Sequence, residues 1–230
     1  MKWEGSQLVQ TLVDSCRDIE EMTFESCKGL KSIRVSGLPK LKAIALLQNS
    51  ELESVEIEAS NLESLVLKFN GPRCQINLGP CENLKKLVLY SCHITDKWLH
   101  DVLSKHQFIE CLDPANCYML KRIKISSHLM KSLTFINCDK LVEVGIVTPN
   151  LHRLKYEADV ISFSLNSSSL SEVILLFSGE SLDAKMIEFL SKLSQPCQRR
   201  GILVYFIIFF LFVSYSMLLC TSIIAYTIKI

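Results

Sequence analysis

Hydrophobic and polar residues alternate along this chain in a pattern that returns about every 21 residues. One copy reads apolar-x-x-apolar-x-apolar-x-x-Asn/Cys, as in Leu62, Leu65, Leu67 and Asn70. Eight copies align, and their last positions fall at residues 27, 49, 70, 92, 117, 138, 159 and 178. An interval of this length indicates stacked structural repeats, each of which buries its apolar side only against its neighbours.

Each copy predicts a short strand followed by a turn. Alternate side chains of a strand point to opposite faces, so Leu65 and Leu67 are expected to point into a shared core. Each coil then brings the next strand alongside, and the Asn or Cys of the turn is expected to bond buried backbone groups. This is the leucine-rich-repeat signature. It predicts an α/β solenoid of parallel strands with few helices over residues 16–195.

The same apolar spacing recurs midway between copies and predicts a second set of strands on the opposite face. These return strands are expected around Ile33, Val55, Ile123 and Val144.

Three other segments depart from the strand pattern. Residues 95–107 and 181–193 carry apolar side chains at helical spacing and are predicted to be amphipathic helices, with Thr95 as a cap. Gly-Pro pairs predict an irregular loop over residues 70–83. Pro114 has no N–H to donate and is expected to kink or break its strand ladder.

A hydrophobic tail follows the repeats. Residues 202–228 contain no charged side chain, and as a helix they would extend about 40 Å, more than a bilayer core requires. The sequence therefore predicts a transmembrane helix over 202–228, with a basic linker over 196–201 and an N-terminal lead-in over 1–15. A buried core helix is the alternative, but apolar residues cover every face.

The sequence on either side of the repeats predicts which side of the membrane they face. Arg199 and Arg200 precede the tail, and the N-terminus lacks the apolar region of a signal peptide. The repeats are therefore expected in the cytosol, where the cysteines stay reduced.

The charge balance narrows the classes of partner. The 230 residues include 25 Lys and Arg and 24 Asp and Glu. Residues 202–230 hold one charged side chain, Lys229. The part of the chain before residue 202 therefore carries 24 charges of each sign and has no net charge. Nucleic-acid binding needs a basic face that neutralises phosphates, so no nucleic-acid partner is expected.

Residue types that carry chemistry do not form a recognisable site in the sequence. The ten cysteines include no C-x-x-C pair, and Cys92, Cys117 and Cys138 share one repeat position. The motifs G-x-S-x-G, G-x-G-x-x-G, H-E-x-x-H and the P-loop do not occur. We therefore expect no metal site, no cofactor and no catalytic residues, and the chain is not expected to be an enzyme.

The outward residues of the main strands are the remaining candidates for function. Apolar side chains form a stripe on this face, and charged ones lie at its rim. A stripe of this kind suits a protein partner. Cover by helices or loops, or β-propensity alone, is the alternative explanation. The candidate binding residues are Leu47, Val66, Lys68, Lys86, Val88, Tyr90, Asp113, Ile136 and Arg153.

The repeats resemble those of plant F-box/leucine-rich-repeat proteins. The resemblance covers residues 16–195 and includes the segments SELESVEIEASNLESLVL and CENLKKLVLYSCHITDKWLHDVLSK. It implies the substrate-recognition arm of an SCF-type ubiquitin ligase receptor, in which an N-terminal F-box docks the adaptor. The residues before the first repeat are too few for a three-helix F-box.

Three functions remain open at this point. We expect a non-enzymatic protein-recognition scaffold tethered to a membrane. A ubiquitin-ligase component is the second alternative, if a partner chain supplies the contact to the SCF adaptor and cullin. A truncated family member without independent function is the third.

Overall fold

A computed structural model describes residues 5–69, 73–158, 161–178, 203–210 and 222–229. The chain divides into two compact units, Met1–Met119 and Leu120–Ile230. In each unit the chain alternates between a main sheet, built by the strands of the repeat copies, and a return sheet on the opposite side of the core. The predicted parallel-strand solenoid with few helices is confirmed.

The first unit consists of short strands joined by turns. In chain order its described elements are α1 (Gly5–Ser15), β1 (Glu21–Glu25), β2 (Ser32–Ser36), β3 (Ala43–Leu47), β4 (Ser54–Glu58), β5 (Ser64–Lys68), β6 (Gln75–Leu78), β7 (Lys86–Tyr90), α2 (Asp96–Lys105) and β8 (Cys111–Ala115). The main sheet has the order β1-β3-β5-β7-β8 and the return sheet the order β2-β4-β6, with all strands parallel.

The repeated leucine positions form the core of this unit. Leu65 and Leu67 of β5 and Leu87 and Leu89 of β7 have no exposed surface. Equivalent residues pair across the sheet, so Leu65 lies beside Leu87. Burial of one leucine side chain stabilises a fold by about 1.5–3 kcal/mol. The predicted inward positions are therefore the main source of stability in each coil.

The turn after each main strand connects one coil to the next, as the sequence predicts. Asn49 is buried, and its Nδ2 donates to the Phe24 carbonyl at 2.8 Å while its Oδ1 accepts from the Cys27 N–H at 2.9 Å. In a later coil the Cys92 thiol donates to the Leu67 carbonyl at 3.4 Å. These side chains satisfy buried backbone groups that the strand pairing leaves free.

Several of these turns contain a left-handed residue that the sequence did not predict. The N–H of one of them, Gln48, donates to the Lys68 carbonyl at 2.8 Å and so extends the ladder by one bond. Among the described residues, those other than glycine with φ between 48° and 55° are Ser26, Gln48, Ser91, Asn116 and Asn137.

Helix α2 confirms the first of the two predicted helices. It begins after Thr95, whose Oγ1 accepts from the Trp98 N–H at 3.2 Å as an N-cap. Leu99 and Val102 point into the core. The second predicted helix, at residues 181–193, lies outside the described residues.

Two local predictions for the first unit are wrong. The predicted loop over residues 70–83 contains strand β6, because Gln75, Ile76, Asn77 and Leu78 alternate polar and apolar side chains and pair with β4. Pro114 does not break the pairing of β8 with β7, since the register continues through Pro114 opposite Leu89.

The second unit repeats the arrangement. Its described elements are β9 (Arg122–Ser126), β10 (Ser132–Ile136), β11 (Glu143–Val147), β12 (Arg153–Glu157), β13 (Ser162–Asn166), β14 (Glu172–Ser178), β15 (Leu203–Phe210) and β16 (Ser222–Lys229). Strands β9, β11 and β13 form the return sheet, and β10, β12, β14 and β15 pair in parallel in the main sheet. The return strands predicted around Ile123 and Val144 are confirmed as β9 and β11.

The single helix predicted over residues 202–228 is wrong. Strand β15 pairs in parallel with β14, and β16 pairs with β15 in the antiparallel direction. β-Branched and aromatic residues, which favour extended backbone, make up most of both strands: Ile, Val, Phe and Tyr in β15, and Ile, Tyr and Thr in β16. A uniformly apolar segment has no periodicity that separates a helix from a buried strand. In the part of the chain that the structure describes, no helix is long and apolar enough to cross a membrane.

Candidate functional site

Outward-facing side chains of the first-unit main sheet form one surface, which we call the first-unit outer face. The parallel register places equivalent residues side by side, so the surface has three rows that run across the strands from β1 to β8. In that order, the first row is Glu21, Ala43, Ser64, Lys86 and Cys111; the middle row is Thr23, Ala45, Val66, Val88 and Asp113; the last row is Glu25, Leu47, Lys68, Tyr90 and Ala115.

The centre of the first-unit outer face is apolar and open to solvent. Val66 lies directly beside Val88 in the middle row, and both are half-buried. Leu47 is also half-buried, while Tyr90 is 37% exposed. The described elements therefore cover this apolar cluster only in part. Exposed apolar groups that adjoin one another are typical of binding surfaces.

Two lysines flank the apolar centre on opposite sides. The Lys68 ammonium lies 4.8 Å from the centroid of the Tyr90 ring, a cation–π distance. Lys86 is exposed at the start of β7. Within the described residues, no carboxylate oxygen lies within 4.0 Å of the ammonium of Lys68 or Lys86.

Lysines in the turns that precede the main strands, unlike Lys68 and Lys86, form ion pairs with carboxylates. Lys42 pairs with Glu20 at 2.8 Å, and Lys85 pairs with Glu63 at 3.1 Å. The two partners in each pair belong to neighbouring coils. Positive charge in the turns is therefore neutralised within the chain, whereas positive charge on the first-unit outer face is not.

Acidic side chains lie at both ends of the first-unit outer face. Glu21 and Glu25 are exposed on β1. These two residues were not among the candidates predicted from sequence. At the other end Asp113 is half-buried, and its Oδ1 is buried without a hydrogen-bond partner in the described part of the chain. A buried acceptor without a donor costs about 1–3 kcal/mol.

The two remaining predicted residues belong to the second unit. Ile136 is half-buried at the end of β10 and lies beside Glu157. The Arg153 guanidinium forms an ion pair with Glu172 of the next main strand. Lys155 likewise pairs with Glu157 at 3.3 Å. The structure therefore does not leave Arg153 as a free cation on its sheet.

Buried thiols have the properties of structural residues. The Cys117 thiol donates to the Leu89 carbonyl at 3.5 Å, which is the same contact that Cys92 makes one coil earlier. Burial raises the pKa of the Cys74 thiol to about 11 and also raises the pKa of Cys92 and of Cys81. A raised pKa disfavours the thiolate that nucleophilic or metal-binding chemistry needs. Among the residues that the structure describes, no three His, Cys, Asp or Glu side chains are grouped to hold a metal ion.

Comparison with known proteins places the repeats in a family. The family model for the leucine-rich-repeat domain of the At1g61320/AtMIF1 type matches residues 63–194, which is more than half of the chain. The chain belongs to this leucine-rich-repeat family. The match agrees with the observed repeats, in which successive coils contribute strands to the main and return sheets.

Two curated relatives from Arabidopsis thaliana carry F-box names. The chain is 25% identical over 152 residues to the FBD-associated F-box protein At5g50270, covering 60% of this chain and 36% of the relative. It is 26% identical over 141 residues to the F-box protein At1g60180, covering 58% of this chain and 43% of the relative. The chain thus spans well under half the length of each relative, and the resemblance to F-box proteins is confirmed for the repeats.

Proposed function

We propose that this chain is a non-enzymatic recognition module that binds a protein through the first-unit outer face. The observation that carries the proposal is an apolar centre partly open to solvent, built on the half-buried Val66 and Val88 and the exposed Tyr90, between two lysines without a carboxylate partner among the described residues. Membership of a leucine-rich-repeat family supports a protein as the ligand, and the F-box relatives support a recognition role.

A triple charge substitution tests this face. Val66→Glu, Val88→Glu and Tyr90→Glu together place three carboxylates where a partner would have to bury apolar surface. Partner binding should fall at least tenfold because unpaired buried charge is strongly unfavourable. The measurement is the affinity of a captured plant protein for each variant, with far-UV circular dichroism to verify the fold.

A matched control uses the return sheet of the same unit. Ser32→Glu, Ser54→Glu and Asn77→Glu introduce the same charge on the outward side of β2, β4 and β6. This control should retain the partner. Equal binding by both triple variants and the unchanged protein would refute the proposed face.

The F-box names of the relatives support a second candidate, a substrate-receptor component of an SCF-type ubiquitin ligase. In that case the recognition module would work with an F-box that contacts the adaptor. Copurification of the SCF adaptor and cullin with the chain from plant cells tests this candidate. Their absence, with a protein ligand still bound, leaves the recognition module without a ligase role.

We also propose that the repeats face the cytosol and that the chain attaches to a membrane through its tail. The support is the absence of charge over residues 202–228 and the basic pair Arg199 and Arg200 before them. The chain should remain in the membrane pellet after alkaline carbonate extraction. A variant with Ile208→Lys and Phe210→Lys should be released, because charge on the apolar tail opposes its contact with lipid. Release of the unchanged chain would contradict this proposal.

A further inference from the structure

Lys68 and Lys86 stand at opposite ends of the Val66–Val88 pair on the first-unit outer face. Lys86 is in the first row and Lys68 is in the last row, beside Tyr90, while the valines occupy the row between. Strand residues rise about 3.3 Å each, so the first and last rows are about 13 Å apart along the strand direction. The surface therefore presents two positive charges with an apolar site midway between them.

An extended peptide has the geometry that complements this arrangement. In an extended chain, residues i, i+2 and i+4 point to the same side, and i and i+4 are about 13 Å apart. Carboxylates at i and i+4 would therefore reach the two ammonium groups while an apolar residue at i+2 contacts the valines. In a helix, residues i and i+4 are only about 6 Å apart, so a helical ligand would need its acidic residues at i and i+8, about 12 Å apart. The spacing of the acidic residues therefore distinguishes an extended ligand from a helical one.

Acidic groups at both ends of the face restrict where such a peptide would bind. Glu21 and Glu25 lie on β1, two strands from β5 or about 10 Å away. Asp113 lies on β8, directly beside Val88. A carboxylate displaced toward either end would meet a like charge, which disfavours that position. The charge pattern therefore selects β5 and β7 as the binding strands for an acidic ligand.

We propose that the partner of this face is an extended protein segment of the form acidic-x-apolar-x-acidic. This inference rests on the proposed function and specifies its ligand. Each acidic residue pairs with one of the two lysines that have no carboxylate partner among the described residues. The apolar residue covers Val66 and Val88, and the backbone follows the direction of β5 and β7.

Selection from a displayed library of random 12-residue peptides on the immobilised full chain tests the ligand class. The selected peptides should share acidic residues four positions apart with an apolar residue midway. Replacing both acids of a selected peptide by Asn or Gln should lower its affinity at least tenfold. Raising the salt concentration from 50 to 500 mM should also weaken binding, because salt screens exposed ion pairs.

Charge reversal of the protein provides the matched test. Lys68→Glu with Lys86→Glu should lower the affinity of the selected peptide at least tenfold. Lys28→Glu with Lys31→Glu changes the net charge equally at exposed positions of the same unit that belong to none of the three rows, and should change the affinity less than twofold. Circular dichroism of both double variants shows whether each is folded.

The outcomes separate this inference from the proposed function. The selected peptides could lack the acidic pair and yet fail to bind the Val66, Val88 and Tyr90 triple variant. That result would overturn the proposed acidic ligand but support the first-unit outer face as the binding surface. Selected peptides that bind all variants equally, or a library that yields no binder, would overturn the acidic segment. A protein partner insensitive to the triple variant would overturn the face as well.

Discussion

The His106 imidazole is buried at the C-terminal end of α2. Its Nδ1 lies 3.2 Å from the Cys81 carbonyl oxygen, so the neutral ring carries its proton on Nδ1 and donates there. Its Nε2 is buried with no hydrogen-bond partner in the described part of the chain. Protonation would place a second N–H without an acceptor in the interior. Burial accordingly lowers the pKa of His106, and the nearby Lys105 charge lowers it further.

The lowered pKa predicts a pH dependence of stability. Above the ordinary histidine pKa of about 6.5 the ring is neutral in both states, and it contributes no pH dependence. Below that value the unfolded chain binds a proton more readily than the folded chain, so the free energy of unfolding falls. A His106→Gln variant should lose this component. Its stability should decline less than that of the unchanged protein between pH 7 and pH 5 in denaturant titrations.

His128 provides the control for this prediction because its side chain is exposed. A His128→Gln variant should follow the pH profile of the unchanged protein. Parallel profiles for the His106 variant and the unchanged protein would show that folding does not depress the pKa of His106.

At the scale of the element, the turn after each main strand connects neighbouring coils. Asn49 does so with two hydrogen bonds from one buried amide. An Asn49→Ala variant leaves the Phe24 carbonyl and the Cys27 N–H without these partners. An unsatisfied buried group costs about 1–3 kcal/mol. Because the Phe24 carbonyl contact is buried and the Cys27 N–H contact only partly so, the variant should lose about 2–4 kcal/mol of unfolding free energy.

Asn61 offers the same substitution in an exposed turn. Its amide donates to the Pro39 carbonyl at 2.6 Å, but water can replace that bond. Asn61→Ala should therefore cost less than about 1 kcal/mol in urea denaturation. Equal losses for the two variants would contradict the role given to the buried amide.

The strands and turns were predictable from sequence to the extent that their side chains repeat. Leu65 and Leu67 predict strand β5, because a strand with one buried face has an apolar residue at every second position. Strand β6 was missed because one short alternation, Gln75 to Leu78, stands between Gly-Pro pairs that indicate a loop. The left-handed conformation of Gln48 was missed because nothing in a glutamine side chain requires positive φ.

The tail shows a second limit of prediction from sequence. Apolar residues predominate in the sequences of β15 and β16, so their composition fits a membrane helix and a buried strand equally well. What distinguishes the two is the pairing of β15 with β14 and of β16 with β15. Pairing between distant segments is a tertiary property that local pattern does not contain.

At the scale of the whole molecule, the two units differ in whether the basic residues of the main sheet form ion pairs. In the second unit Arg153 and Lys155 are paired with acidic residues. In the first unit Lys68 and Lys86 have no such partner among the described residues. Arg153, Lys68 and Lys86 were all predicted from sequence as candidates, because repeat position alone does not reveal ion pairing. This difference in pairing is the reason why we propose the recognition role for the first unit.

Site-specific photo-cross-linking tests that assignment most directly. Tyr90 is replaced by p-benzoylphenylalanine, an aromatic residue of similar shape, and Asn77 on the return sheet is replaced in the same way as a control. Irradiation with the captured partner should yield a cross-linked product from position 90 and none from position 77. Cross-linking from position 77, or from neither position while the partner remains bound, would contradict recognition through the first-unit outer face.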